Sequence, residues 1–185
     1  EGNAQTFRIL ASLAGTSEQR SIGLNLTDMT LNAVSKYPWL RGDRAEKRKK
    51  WGAYDCDAAI LEWAREGLEP QALSLEAQVM DWADDIAYAV HDVEDFFRAG
   101  LLPLDDYKSR KDRLEEFFEY CGRYYEGLSE EVKRGVTNAL DLGPTSAYSA
   151  SASDQMALRQ LRGTLLSYFI QGTALEDGAL VVDDT

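Results

Sequence analysis

The sequence predicts an almost entirely α-helical protein, and three observations carry that expectation. Apolar residues recur at spacings of three and four through most of the chain. The stretches that show this are opened by Ser, Thr or Asp and closed by Gly or Pro. The only strand-like run, Gly178 to Val182, is short and would make at best one strand. A length of 185 residues fits one domain or two small ones and is enough to bury most of the surface an unfolded chain exposes. With 44% hydrophobic and 28% charged residues, the composition is that of a folding globular chain rather than a disordered one.

Phe7, Ile9, Leu10, Leu13 and Ala14 share a stripe, so residues 4 to 14 form a helix that Gly15 stops. The chain thus enters abruptly in a helix at Glu1, as a protein truncated before that residue would. Thr27 is an N-cap followed by Asp28, and its helix runs through Leu31 and Val34 until Pro38 ends it. From Arg41 to Lys50 the composition turns basic (Arg41, Arg44, Lys47, Arg48, Lys49, Lys50), which with Gly42 reads as an exposed, mobile loop. A short helix from Asp57 to Arg65 is broken by Gly67 and Pro70, and a long one follows from about Leu73 to Ala99, closed by Gly100. Pro103 forces a new start. Asp105 to Glu126 then forms one helix with the stripe Leu114, Phe117, Phe118, Cys121 and Tyr125, ended by Gly127. Ser129 caps a helix through Leu140, and Ser153 or Asp154 caps the last, to about Gln171. No internal repeat is present.

The net charge of −12 sets a mean field that repels nucleic acid and anionic membranes, so a polyanionic substrate needs a local basic patch or a metal. Cys56 and Cys121 show no metal-site spacing and point to reduced thiols in a cytosol. Apolar runs such as Leu165 to Ile170 fall far short of the ~20 residues that span a bilayer, and the first residues resemble no signal peptide. A soluble, cytoplasmic protein without membrane contact is expected.

Chemistry concentrates on the long helix. Stepped at about 100° per residue, Val79, Trp82, Ile86, Ala89, Val90, Val93, Phe96 and Phe97 gather on one side. Asp81, Asp84, Asp85, Asp92 and Asp95 gather on the other, with Tyr88 among them, since Asp84, Tyr88 and Asp92 are each one turn apart. Such a face is ordinarily solvated. Two features favour a cation instead: no Lys or Arg lies between Leu73 and Phe97 to relieve like charges, and a ring amid carboxylates suits a sugar or base beside a metal. From spacing alone both readings stand.

The run from Glu76 through Tyr88, Asp92 and Asp95 to Ala99-Gly100-Leu101-Leu102-Pro103 resembles the bacterial deoxyguanosinetriphosphate triphosphohydrolases and their dNTPase relatives, within the HD-domain phosphohydrolases. Glu1-Gly2-Asn3-Ala4-Gln5, Leu24 to Trp39 and Lys49-Lys50-Trp51-Gly52 resemble further stretches of that family in the same order. The resemblance implies an all-α, HD-domain-like helical bundle. Residues 1–104 would be the C-terminal part of the HD phosphohydrolase domain, and 105–185 the helical region associated with it.

By the same resemblance Asp84 matches the last ligand of a divalent metal (Mg, Mn or another transition metal), with Asp85 as its supporting neighbour. Tyr88 matches the ring on the deoxyribose, Asp92 the carboxylate at the 3′-hydroxyl, Asn3 a polar residue near the nucleotide, and Lys50, or alternatively Lys49, the triphosphate contact. His91, the sole histidine, matches no ligand position and reads as a surface or supporting residue. The family's other metal ligands and its catalytic His/Glu pair lie upstream of the matched stretches, so no catalytic residue falls within this chain, which alone should be inactive. The complete enzyme is expected to direct metal-activated water at the α-phosphorus of a dNTP, dGTP foremost, releasing deoxynucleoside and triphosphate. A homo-oligomer, hexameric in the family, is expected, with the helix from Phe117 to Tyr125 offering surface for it, and a single-stranded nucleic-acid effector is a further partner. The alternatives are a non-catalytic scaffold subunit of the same shape and a nucleic-acid-binding module built on Arg41 to Lys50.

Overall fold

The computed structural model describes residues 1–15, 23–46, 48–126, 128–176 and 179–182. These form helices and one small hairpin, and they divide into two compact units, Glu1–Ala83 and Asp84–Thr185. Gly127 and Gly178, read as a helix stop and the start of a strand, lie outside the described residues.

In the first unit, helix α1 (Gly2–Arg8) widens into a π-turn over Ile9–Leu13, where the Ala14 N–H reaches the Ile9 carbonyl at 2.8 Å. Helix α2 (Asp28–Ala33) starts at Thr27, whose Oγ1 accepts from the Thr30 N–H. A 3₁₀ turn over Asp55–Asp57 leads into α3 (Ala58–Ala64). Phe7, Ala11, Leu31, Ala53, Leu61 and Ala64 make the core between them. Fully burying a side chain such as Phe7 contributes roughly 1.5–3 kcal/mol. Arg65 holds the far side together: its guanidinium donates to Asn32 Oδ1 at 2.7 Å and to the carbonyls of Glu69 and Ala72 at 3.0 and 2.9 Å. Burial lowers the Arg65 pKa from its ordinary value, and the three acceptors compensate the lost water.

Helix α4 (Leu75–Arg98) is the long one foreseen in the sequence, and the division between the units falls within it. Ser74 Oγ accepts from the Ala77 N–H at its start. At its end Gly100 takes a φ of 71°, while the N–H groups of Gly100 and Leu101 return to the carbonyls of Phe97 and Phe96.

The second unit adds α5 (Leu104–Ser109), α6 (Lys111–Gly122), α7 (Glu130–Leu142) and α8 (Ala152–Gln171). The single helix expected over 105–126 is two. The Ser109 hydroxyl bonds back to the carbonyls of Asp105 and Asp106, and Arg110 turns extended (φ −126°, ψ 103°), a local competition that bends helices. The expected apolar stripe is the half-buried face of α6: Leu114, Phe117, Phe118 and Cys121 are partly covered and Leu114 packs on the core, whereas Tyr125 lies beyond the helix and is exposed, and no residue of α6 is fully buried. The core lies among Phe97, Leu104, Ala139, Leu140, Leu158 and Leu161. The last helix is capped by Ser151, two residues earlier than expected. Its Oγ accepts from the Asp154 N–H at 3.2 Å, and Asp154 Oδ2 accepts from Ser151 N–H and from the N–H and hydroxyl of Ser149. After α8 the chain makes a two-stranded antiparallel hairpin rather than one strand, β1 (Thr173–Glu176) pairing with β2 (Ala179–Val182), Thr173 opposite Val182.

Glu94, like Asp154, is a buried carboxylate of this unit. Its Oε1 takes the Arg98 guanidinium at 2.5 Å and its Oε2 that of Arg162, on α8, at 3.2 Å. Replacing it by Gln removes the charge while keeping the volume, so Glu94→Gln should lower stability by about 1–3 kcal/mol in denaturant unfolding; a loss under about 0.5 kcal/mol would show that the two arginines are solvated equally well without it.

The hydrogen bonds from Ser149 and Ser151 hold the Asp154 pKa down to about 2. A depressed carboxylate stabilises the fold above its unfolded pKa and loses that contribution as pH falls through the folded value. The melting-temperature deficit of Asp154→Ala should therefore be full at neutral pH and shrink away towards pH 2. A deficit that stays constant over that range would assign the effect to packing.

Candidate functional site

The site residues named from the sequence fall into two sets, one in each unit. The first surrounds the loop from Leu40 to Ala53, whose ends meet in a parallel bridge. Trp39 closes the base of this loop: its Nε1 donates to the Lys50 carbonyl at 2.8 Å and its own carbonyl accepts from the Gly52 N–H at 3.0 Å. Gly52 is required there, since a Cβ would collide with the Tyr37 carbonyl. The loop reads from sequence as exposed and mobile, and Arg41, Arg48, Lys49 and Lys50 are exposed. Several of its cations are also seated on rings, Arg41 over Trp51 at 5.2 Å, Arg44 over Trp39 at 4.5 Å and Lys50 over Tyr37 at 5.8 Å, and Arg44 Nε also bonds Gln71.

Lys49 and Lys50, with Arg48, Glu46, Ala45 and Tyr37, line a cavity of about 430 Å³. Asn3 belongs to the same neighbourhood. Partial burial of the Glu1 carboxyl raises its pKa, but the hydrogen bond from Asn3 Nδ2 at 2.7 Å and the field of Lys50 outweigh that and leave it below the ordinary value. Asn3 thus contacts the Glu1 carboxylate and Lys50 acts on it through its field. The indole N–H of Trp51 is buried and has no partner among the described residues.

The second set lies on α4. Asp84, Tyr88 and Asp92 follow at one-turn intervals and are exposed, as are Asp85, His91 and Asp95. Tyr88 is 65% exposed, so its ring is open to a flat ligand. No cation among the described residues pairs with Asp85, Asp92 or Asp95. Asp81 is different: Lys36, just beyond α2, forms an ion pair with it, supplying from outside the helix a cation the helix sequence lacks.

The opposite face of α4 is narrower than its periodicity suggests. Ala77, Ile86, Val90 and Phe97 are buried, but Val79 and Phe96 are 45% and 50% exposed. Glu94 shares the buried stripe, one turn beyond Val90, a position legible in the helical spacing although an acid there invites assignment to the solvated side.

Among the described residues no group of three or more His, Cys, Asp or Glu side chains could hold a metal ion. Asp84 alone does not make a metal centre. Cys56 and Cys121 are free thiols, and Arg8 Nη1 approaches Cys56 Sγ at 2.6 Å. Among the described residues no helix is long and apolar enough to cross a membrane.

These features define an all-α protein with a carboxylate-rich helix face centred on an aromatic ring and, in its other unit, a ring-seated basic loop. No family model matches the chain. It is 40% identical over 182 residues, 94% of its length, to a deoxyguanosinetriphosphate triphosphohydrolase-like protein of Corynebacterium efficiens. It is 37% identical over 177 residues, 91% of its length, to the protein of that name in Streptomyces coelicolor, and 48% identical over 186 aligned positions to that of Corynebacterium diphtheriae. The matches cover 42%, 42% and 43% of those proteins, so the chain spans about two fifths of the length of the curated relatives it matches. The chain belongs to the deoxyguanosinetriphosphate triphosphohydrolase-like family, and its helical architecture fits the HD-domain assignment.

Proposed function

We propose that this chain is part of a deoxynucleoside triphosphate triphosphohydrolase, which converts a dNTP, dGTP foremost, to deoxynucleoside and triphosphate. The observation that carries the reading is the Asp84, Tyr88, Asp92 series, at one-turn spacing on an exposed face of α4 in a member of this family. Asp84 contributes one carboxylate to a divalent cation whose other ligands are not among the described residues, and Asp85 steadies it. Tyr88 offers its open ring to the deoxyribose and Asp92 accepts a hydrogen bond from the 3′-hydroxyl. Lys50 meets the triphosphate: its backbone is fixed by the Trp39 indole while its ammonium stays exposed, so it is placed at low entropic cost. Lys49 is the alternative, and Asn3 lies near the nucleotide. The complete protein is proposed to be cytoplasmic and to assemble as a homo-oligomer.

The rival reading, a basic-loop module for single strands, is less well supported. Arg41 and Arg44 already cover the indoles on which bases would stack, and the buried Trp39 ring is closed to them.

Two measurements test the proposal. The purified 185-residue chain should retain no stoichiometric manganese and hydrolyse no dNTP; robust manganese-stimulated turnover would overturn the site assignment. In the full-length protein, Asp84→Ala should lose both metal and turnover, whereas Tyr88→Ala and Asp92→Ala should keep metal and raise KM. Asp92→Ala should also lose its preference for dNTPs over 3′-deoxy analogues. Asp85→Ala should cost ~10–100-fold in activity. If Asp85→Ala empties the metal site and Asp84→Ala does not, the register is wrong by one residue and the roles of Tyr88 and Asp92 fall with it.

A further inference from the structure

The second unit carries a surface that the proposed chemistry does not use. A groove of about 750 Å³ lies between α6 and α7, walled by Glu115, Glu119 and Glu126 with Phe118, Tyr125 and Leu128. Helix α6 is only half-covered: Leu114, Phe117, Phe118 and Cys121 are partly buried, and its carboxylates and Tyr120 are exposed. On the same stretch of chain Tyr120 and Tyr124 pack with ring planes tilted at 48° and centroids 5.0 Å apart, and they are 58% and 67% exposed.

The electrostatics of the groove are one-sided. Its two cations, Lys133 and Arg134, are already paired with Glu130 and Glu131 of the same helix, at 2.6 and 3.4 Å. Among the described residues no cation pairs with Glu115, Glu119 or Glu126. Carboxylates and ring faces both attract cations, and a groove that combines them selects a guanidinium, which pairs with a carboxylate through its edge while stacking on a ring through its face. The protein uses the same pairing internally: Arg8 lies over Tyr54 and pairs with Asp57, Arg44 over Trp39 with Glu46, and Arg98 over Tyr148 with Glu94.

We propose that the groove between α6 and α7 docks an arginine-rich peptide segment of a partner protein, its guanidinium groups held by Glu115, Glu119 and Glu126 and stacked on Tyr125. The basic loop of a second copy is poorly suited to the role, because Arg41 and Arg44 are already stacked on the indoles of their own chain.

The test is fluorescence anisotropy of a labelled oligo-arginine peptide titrated with the 185-residue chain at physiological salt, alongside an oligo-lysine peptide of equal length. Saturable binding at one site is expected, tighter for arginine. Glu115→Gln/Glu119→Gln/Glu126→Gln should weaken it about tenfold or more, against less than about twofold for the equally charge-depleted control Glu62→Gln/Glu66→Gln/Glu69→Gln, which lies outside the groove. Tyr125→Ala should weaken it about threefold or more. All substituted side chains in the groove are exposed or half-buried, and unchanged far-UV circular dichroism confirms the fold. Equal weakening by the two triple variants would reduce the binding to net charge and overturn the proposal. So would equal affinity for the lysine peptide, or a concentration-dependent dimer, seen by light scattering without peptide, that Tyr125→Ala abolishes.

Discussion

The fold depends on how one acidic helix is neutralised. Helix α4 carries Glu76, Asp81, Asp84, Asp85, Asp92, Glu94 and Asp95 with no Lys or Arg until Arg98, and repulsion between like charges one turn apart costs a few tenths of a kcal/mol per pair. The compensating cations come largely from elsewhere in the chain. Lys36 reaches Asp81 in the first unit, and Arg162 reaches Glu94 in the second, joined there by Arg98. The Lys36 and Arg162 pairs relieve the helix and also tie it to elements distant in sequence. In each unit, then, the charge that burdens α4 locally is used to fix its packing.

This compensation separates the carboxylates of α4 by role. Glu94 is desolvated and held between two guanidinium groups, so it serves the structure and is closed to an external ligand. Asp81 is half-buried and engaged by Lys36. Asp85, Asp92 and Asp95 stand in water without an ion-pair partner among the described residues, so the negative potential of the helix is concentrated along the face that Tyr88 shares. Exposed carboxylates of this kind contribute little to stability, and their value lies in what they attract.

The legible parts of the fold were those governed by neighbours in sequence. Thr27 and Ser129 cap their helices, Gly100 ends α4 with a positive φ, and the one-turn series Asp84, Tyr88, Asp92 needs only the helical period. The parts that escaped are decided by contacts across the chain or by competing local hydrogen bonds. Ser109 bonding backwards splits α5 from α6, and Ser149 recruits Asp154 into the capping box of Ser151, so the helix starts where the network closes. Lys36 carries no signal in its own surroundings that it will serve Asp81, and Trp39 none that it will pin Lys50 eleven residues later. Glu94 could have been found, because it falls in line with Val90 and Phe97, yet only Arg162 explains why an acid survives there.

Mean charge proved a weak guide to local chemistry for the same reason. A net charge of −12 describes the field far from the surface, where salt screens it beyond about 10 Å. At contact distance the field belongs to the few side chains held in place. In the loop from Arg41 to Lys50, ring seats at Trp39, Trp51 and Tyr37 hold Arg44, Arg41 and Lys50 in place, and a cation restrained beforehand loses less entropy when an anion arrives. In the groove of α6 no cation among the described residues pairs with Glu115, Glu119 or Glu126, and Lys133 and Arg134 are engaged by Glu130 and Glu131. Aromatic residues thus stand beside both signs of charge, and what each surface can bind is set by whether the cation is already supplied from within the chain.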